Sequence, residues 1–157
     1  MIFSNACAYA IRALSRLAMI RPEGYVLLDE LCTGSDLPRH FVAKIFQDLV
    51  RRGLLTSAKG RGGGFALAQP AANITLLEIV TVIDGVEQLD QCVVGMAKCD
   101  DKEPCPQHDN WKAIRSTLKD YLHKTTLEQM AGALQRKLEL MGHVAEPLSK
   151  SKPVVHR

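Results

Sequence analysis

Apolar residues recur along this chain in two rhythms, and the places where one gives way to the other mark its elements. From residue 3 to 20, Phe3, Cys7, Ala10, Ile11, Leu14, Leu17 and Ala18 fall at spacings of three and four, with Arg12 and Arg16 on another face. That rhythm predicts an amphipathic helix. Pro22 and Gly24 end it, a short apolar helix "VLLDELC" follows, and "TGSD" breaks the chain again. Pro38 is tolerated in a first helical turn and opens "PRHFVAKIFQDLVRR", where Val42, Ile45, Phe46 and Leu49 form a buried stripe. The opposite stripe is His40, Ala43, Lys44, Gln47 and Arg51. Two helices joined by a tight turn, the second with small and donor-rich side chains outward, match a helix-turn-helix.

The rhythm then shortens. In "LLTSAKGRGGGFAL", Leu54 to Ser57 and Phe65 to Leu67 read as two short strands around a tip of Lys59, Gly60, Arg61, Gly62, Gly63 and Gly64. So many glycines invite a phosphate-binding reading. The context argues against it, because GxxxxGK[ST] is absent, Phe65 stands where GxGxxG needs glycine, and the segment re-enters a strand instead of opening a helix. A wing fits better: glycines permit the tight turn, and Arg61 can enter a minor groove narrowed by A·T pairs.

Helical spacing returns after "AQPAAN". Thr75 and Glu78 make a capping box, Ile74 and Ile79 can staple it, Leu76, Ile79, Val80 and Ile83 face inward, and Gly85 ends the helix. Further on, Trp111, Ile114, Leu118, Tyr121 and Thr125 form a coiled-coil-like seam. Its partner is either the first helix or a symmetry mate, and two half-sites on DNA ask for the latter. A last helix starts near Thr125 or Thr126, with Glu128 or Gln129 as reciprocal cap, and carries Leu127, Met130, Ala131, Leu134, Leu138 and Met141. The resulting picture is a mainly α chain: a winged helix-turn-helix DNA-binding domain over 1–85, a cysteine-bearing loop over 86–108, and a dimerisation helix with a following C-terminal helix over 109–142. The polar, proline-containing tail at 143–157 is expected to be disordered.

Composition adds a compartment and a partner. With 157 residues, 46% of them hydrophobic, the chain has enough apolar mass for a real core. No charged leader precedes an apolar run, and no stretch approaches the roughly 20 apolar residues that span a bilayer, so a cytoplasmic location without membrane contact is expected. The net charge of +3 says little, but its distribution says more. Arg39, Lys44, Arg51, Arg52, Lys59 and Arg61 oppose only Asp48, whereas Asp84, Glu87, Asp90, Asp100, Asp101 and Glu103 dominate the next stretch. The first region suits double-stranded DNA. No paired carboxylates, nucleophile-base set or nucleotide loop appears, which argues against an enzyme or a small-molecule substrate.

The segment "CVVGMAKCDDKEPCPQH" spaces its residues as C-x6-C-x5-C-x2-H. A reducing compartment disfavours a disulfide. The gaps lack the short knuckles of structural zinc and the C-x-x-C of thiol exchange, although a looser Cys3His zinc site stays chemically open. Three thiolates with one other ligand can also hold a 2Fe-2S or 4Fe-4S cluster.

Together, "YAIRAL", "FVAKIFQDLVRRGLL", "KGRGGGFALAQP", "ITLLEIVTVIDG" and three cysteines ahead of a long helix resemble the IscR and NsrR family of winged-helix regulators, the Rrf-two superfamily, over about residues 2 to 135. The resemblance implies a homodimeric regulator whose iron-sulfur cluster reports redox state, nitric oxide or iron supply. It places thiolate ligands at Cys92, Cys99 and Cys105 and, in members with a 2Fe-2S cluster, a histidine ligand at His108; a solvated histidine capping the next helix is the rival reading. The aspartate that 4Fe-4S members recruit from the first helix is Ala8 here, which favours 2Fe-2S. Cys7 could substitute, but its place on the apolar stripe reads as a buried thiol, and Cys32 likewise as core. On DNA, His40, Lys44 and Gln47 are expected at base edges, Arg39, Arg51 and Lys59 on phosphates and Arg61 in the minor groove. Ligation of the loop would shift the dimer between two states. A zinc-stabilised or cluster-free regulator, and an adaptor binding a protein through residues 84–110, are the alternatives.

Overall fold

The computed structural model describes residues 2–20 and 23–142. Helix α1 (Asn5–Ile20) is the hub, because α2 (Leu28–Cys32), α3 (Arg39–Arg51), strand β2 (Gly64–Leu67), α4 (Leu76–Ile83) and α7 (Leu127–Leu140) all pack against it. Its stripe explains this: Cys7, Ala10, Ala13, Leu14 and Leu17 are fully buried. Small residues at three of those positions let neighbouring helices come close. Each large apolar side chain taken out of water contributes about 1.5–3 kcal/mol.

Helix α3 follows the sequence pattern closely, with Pro38 as its N-cap and Val42, Ile45, Phe46 and Leu49 buried. Helix α2 is shorter than its apolar run suggests. Val26, expected inside it, instead exchanges two backbone hydrogen bonds of 2.9 Å with Phe65, adding a rung to the small sheet. Pairing with β2 competes successfully because it also brings Phe65 edge-on to Phe46, with ring centroids 5.2 Å apart. Arg16 closes the other end of α2 by donating to the carbonyls of Leu31 and Thr33, each at 2.7 Å. Strands β1 (Leu55–Ala58) and β2 pair antiparallel from Leu55↔Leu67 to Ala58↔Gly64. The hairpin therefore runs one residue closer to its tip than the spacing predicts, since Leu54 is used to close α3 by donating to Leu49 O.

Both capping boxes form. Glu78 N–H donates to Thr75 Oγ1 and Thr75 N–H to Glu78 Oε2; Thr126 and Gln129 repeat the arrangement, which places the start of the last helix at Thr126. The two caps are joined side by side, Leu76 N–H donating to Thr125 O at 2.9 Å and Leu127 N–H to Ile74 O at 2.8 Å. This link returns the chain so that α7 lies on α1 while α6 (His108–Lys124) lies on α4. Along the α6 seam, Trp111 and Leu118 are half-buried, whereas Ile114 and Tyr121 are 57% and 52% exposed. The seam thus has no complete partner among the described residues. One short helix was not foreseen: Glu87–Asp90 forms a single turn, α5, at the head of the expected loop. The tail at 143–157 lies outside the described residues.

Candidate nucleic-acid interface and cysteine loop

The outer face of α3 presents His40, Lys44, Gln47 and Arg51 to solvent, and Lys59 and Arg61 stand exposed at the wing. The wing's glycines have a local cause. A Cβ on Gly64 would lie 2.1 Å from Val26 O, and one on Gly63 would lie 2.3 Å from Ala58 O. Close backbone approach, and not a phosphate cradle, demands glycine there. Arg61 is held between Gly60 and Gly62, both at positive φ, at the point of the turn.

The cations on this face are not equivalent. Arg39 is ion-paired with Asp29, whose carboxyl its hydrogen bond holds below the usual range, and Arg51 is paired with Asp48 one turn away. Lys44, Lys59 and Arg61 have no acidic partner among the described residues. Exposed pairs are worth only about 0–1 kcal/mol, so a phosphate can displace Asp29 or Asp48 at small cost. Arg52, the C-cap of α3, is a further exposed cation of the basic stretch.

The cysteine loop is anchored at its head by α6. Trp111 Nε1–H donates to Gln91 O at 2.8 Å, Arg115 to Asp90 O at 2.9 Å, and Lys119 pairs with Asp90 at 2.6 Å. These partners stand 20 to 29 positions apart in sequence, so no local signal could have revealed them. From there the chain turns at Gly95, whose N–H donates to Cys92 O at 3.0 Å. Cys92 is buried, and the backbone N–H groups of Val94 and Met96, with the thiols of Cys105 and Cys99 beside them, hold its thiol below the usual range.

His108 opens α6, its N–H donating to Cys105 O at 2.9 Å. The residue is only 3% exposed, so the solvated-histidine reading does not describe it. Nδ1 lies 3.4 Å from Cys99 Sγ, and Nε2 lies 2.9 Å from Asp101 Oδ1. Lys112 Nζ, 2.6 Å from the same carboxylate oxygen, joins His108 in holding the Asp101 carboxyl below its ordinary range, with the Lys112 hydrogen bond the larger influence. Asp101 and Lys112 are thus part of this site, although the spacing singled out neither.

The loop therefore gathers three sulfurs and an imidazole. Among the described residues, no group of three such side chains is placed to hold one metal ion. That weighs against a preformed zinc site. It weighs less against a cluster, which spreads its ligands over several iron atoms and is favoured by hydrogen bonds to its sulfurs, as Val94 and Met96 give Cys92. The remaining thiols belong to the core: Cys7 is fully buried, its thiol pushed up to about 12 by burial and by the charge of Asp84, and half-buried Cys32 is raised mainly by burial. None of the five cysteines is in a disulfide.

The family model Rrf2, described as an iron-dependent transcriptional regulator, matches residues 3–133. The chain belongs to the Rrf2 family. This Rrf2 protein is 31% identical over 140 residues to a putative HTH-type transcriptional regulator of Aquifex aeolicus, covering 88% of this chain and 96% of that protein. To the HTH-type transcriptional regulator IscR of Pectobacterium atrosepticum it is 25% identical over 122 residues, covering 78% and 74%. Its structure superposes on CymR, described as the global cysteine regulator of B. subtilis, with a TM-score of 0.69 and 27% identity, covering 83% of this chain and 96% of that one. T. potens IscR gives 0.67 at 21% identity, covering 85% and 88%, a likeness of fold. The Rrf2 protein is a transcriptional regulator with a winged-helix fold, and its relatives are regulators, not enzymes. No helix among the described residues is long and apolar enough to cross a membrane.

Proposed function

We propose that this regulator binds operator DNA in the cytoplasm as a homodimer through α3 and the wing, and that an iron-sulfur cluster on Cys92, Cys99, Cys105 and His108 sets its affinity. The observation that carries this reading is the gathering of three thiols and a buried imidazole on the loop that connects the DNA-facing half, residues 1–85, to α6. His40, Lys44 and Gln47 are assigned to base edges, Arg39, Arg51 and Lys59 to phosphates, and Arg61 to the minor groove. The exposed side chains Ile114 and Tyr121 on the α6 seam support a second copy of the chain as the partner of residues 109–142.

A 2Fe-2S cluster suits three thiolates and one imidazole, and a 4Fe-4S cluster is the second choice. When bound, the cluster supplies iron-sulfur bonds sensitive to oxidants, nitric oxide and iron supply. The chain's own part is mechanical. Cys92 and His108 sit at the two ends of the loop, next to its α6 anchors, so ligation ties the α5 end to the head of α6. Releasing that tie changes which loop geometry is stable and, with it, the placement of the two recognition helices.

A second reading is supported by the likeness to CymR: a regulator of the same fold whose loop holds no cluster. Isolation without air discriminates. Wild-type protein should be red-brown, contain iron and sulfide, and change its operator affinity when the cluster is removed, while Cys92→Ser should be colourless. A colourless, iron-free wild type sinks the cluster reading. Separately, Arg61→Ala should lose about 1–3 kcal/mol of operator binding, seen as a roughly 5- to 150-fold rise in Kd and a flattened A·T preference beside each half-site; an unchanged Kd and preference would remove the wing from the interface.

A further inference from the structure

Both ring nitrogens of His108 have a partner, and the partners differ in kind. Asp101 Oδ1, 2.9 Å from Nε2, belongs to a carboxylate that can only accept a hydrogen bond, so Nε2 carries a proton. In the neutral ring Nδ1 then keeps its lone pair, and it is Nδ1 that faces the Cys99 sulfur at 3.4 Å. Asp101 is itself held, since Lys112 Nζ lies 2.6 Å from the same oxygen. Lys112 is one helical turn beyond His108, so α6 fixes both the imidazole and the cation that pins its carboxylate.

We infer that Asp101, held by Lys112, is a positioning residue that fixes His108 in the Nε2–H tautomer and aims its Nδ1 lone pair at the cysteine sulfurs. The inference rests on the proposed cluster site and adds to it which nitrogen ligates and what orients it. Such an arrangement has a general reason: a ligating imidazole that donates its other N–H to a carboxylate is more basic and loses less freedom on binding. Neither Asp101 nor Lys112 needs to touch the cluster.

The test begins on cluster-free protein, where long-range proton–nitrogen NMR in mildly alkaline buffer reads the tautomer directly. Wild type should show His108 protonated at Nε2 alone, and Asp101→Ala should show a mixture of tautomers in a protein that still melts cooperatively, its melting temperature lowered by a few degrees because the buried Nε2–H loses its acceptor. On loaded protein, Asp101→Ala should lose the visible absorption to an iron chelator about 10–100 times faster than wild type, in line with the usual cost of removing such a partner. Asp101→Asn, whose amide oxygen can still accept from Nε2–H, should recover part of the difference, and Lys112→Met should show a smaller effect. A wild-type ring protonated at Nδ1, or an Asp101→Ala protein with unaltered tautomer and cluster-loss rate, overturns the inference. Should wild type never load a cluster, the function proposed above fails, while the NMR measurement still decides the role of Asp101.

Discussion

Residues 5–20 and 23–83 hold their shape by burying side chains between α1 and the elements around it, whereas residues 91–107 hold theirs by hydrogen bonds to α6 and to one another. In the first region Leu14, Leu17, Phe46, Leu49 and Ile79 are wholly inaccessible. In the second, Val93, Val94 and Met96 stand 52%, 56% and 62% exposed, and Cys92 is the one buried apolar side chain between Gln91 and Gln107. Packed apolar contacts need no ligand to persist, so the half that carries α3 and the wing is specified by the chain alone. A loop held by a few polar anchors has low local stability and can respond to what binds it. The proposed function would use that division, with α3 and the wing as a rigid reader and the cysteine loop as a deformable receiver.

The largest expected effect is that of Phe46→Ala, which removes a fully buried ring packed on Phe65 and should cost about 3–5 kcal/mol in denaturant unfolding. That is a large share of the stability of a domain this size. A loss below about 1 kcal/mol would mean that the wing is not part of the cooperative core.

Next comes an alkaline effect at Cys7. Because the folded state prefers its neutral thiol, pushed up to about 12 against about 8.5 for a free cysteine, stability is intact below roughly pH 8.5 and falls as pH rises toward 12. The slope should reach about 1.4 kcal/mol per pH unit at most, and Cys7→Ala should lower the plateau but flatten the slope. An alkaline slope identical in the two proteins would show that Cys7 is not the group responsible.

A smaller change tests the loop. Trp111→Phe deletes one hydrogen bond to Gln91 O, worth about 0.5–1.5 kcal/mol, and should speed amide exchange in residues 90–107 a few-fold while leaving α3 untouched. Equal acceleration in α3 would erase the distinction between the two regions. The smallest effect runs in the opposite direction. Ser15 is 2% exposed and its hydroxyl has no hydrogen-bond partner among the described residues, so Ser15→Ala should raise stability by about 1 kcal/mol in thermal unfolding. A destabilised Ser15→Ala would mean that the hydroxyl is satisfied in the intact protein.

The legible parts of the sequence were those in which one residue's role depends on near neighbours. The α3 stripe, the two capping boxes and the wing's glycines are patterns within a few positions, and all were readable from spacing. Val26 was misplaced because its apolar run fits a helix equally well, and only Phe65, distant in sequence, decided otherwise. At the candidate site, the spacing showed four residues fit to be ligands but gave no reason to include Asp101 or Lys112, and it assigned Arg39 and Arg51 to phosphate without their partners Asp29 and Asp48. The basic stretch was visible; its division into paired and unpaired cations was not.

The sequence by itself determined the order of elements, the faces they bury and the residue types able to meet DNA or iron, because hydrophobic period, capping and turn chemistry act over at most a few residues. Only the packed chain shows that α6 anchors the head of the cysteine loop, that the His108 ring is buried with Nδ1 toward Cys99, and that the seam on α6 lacks a complete partner among the described residues. The α6 anchors join positions 20 to 29 apart in the chain. Their geometry depends on how α4 and α7 pack on α1 and how α6 packs on α4, which no local pattern encodes.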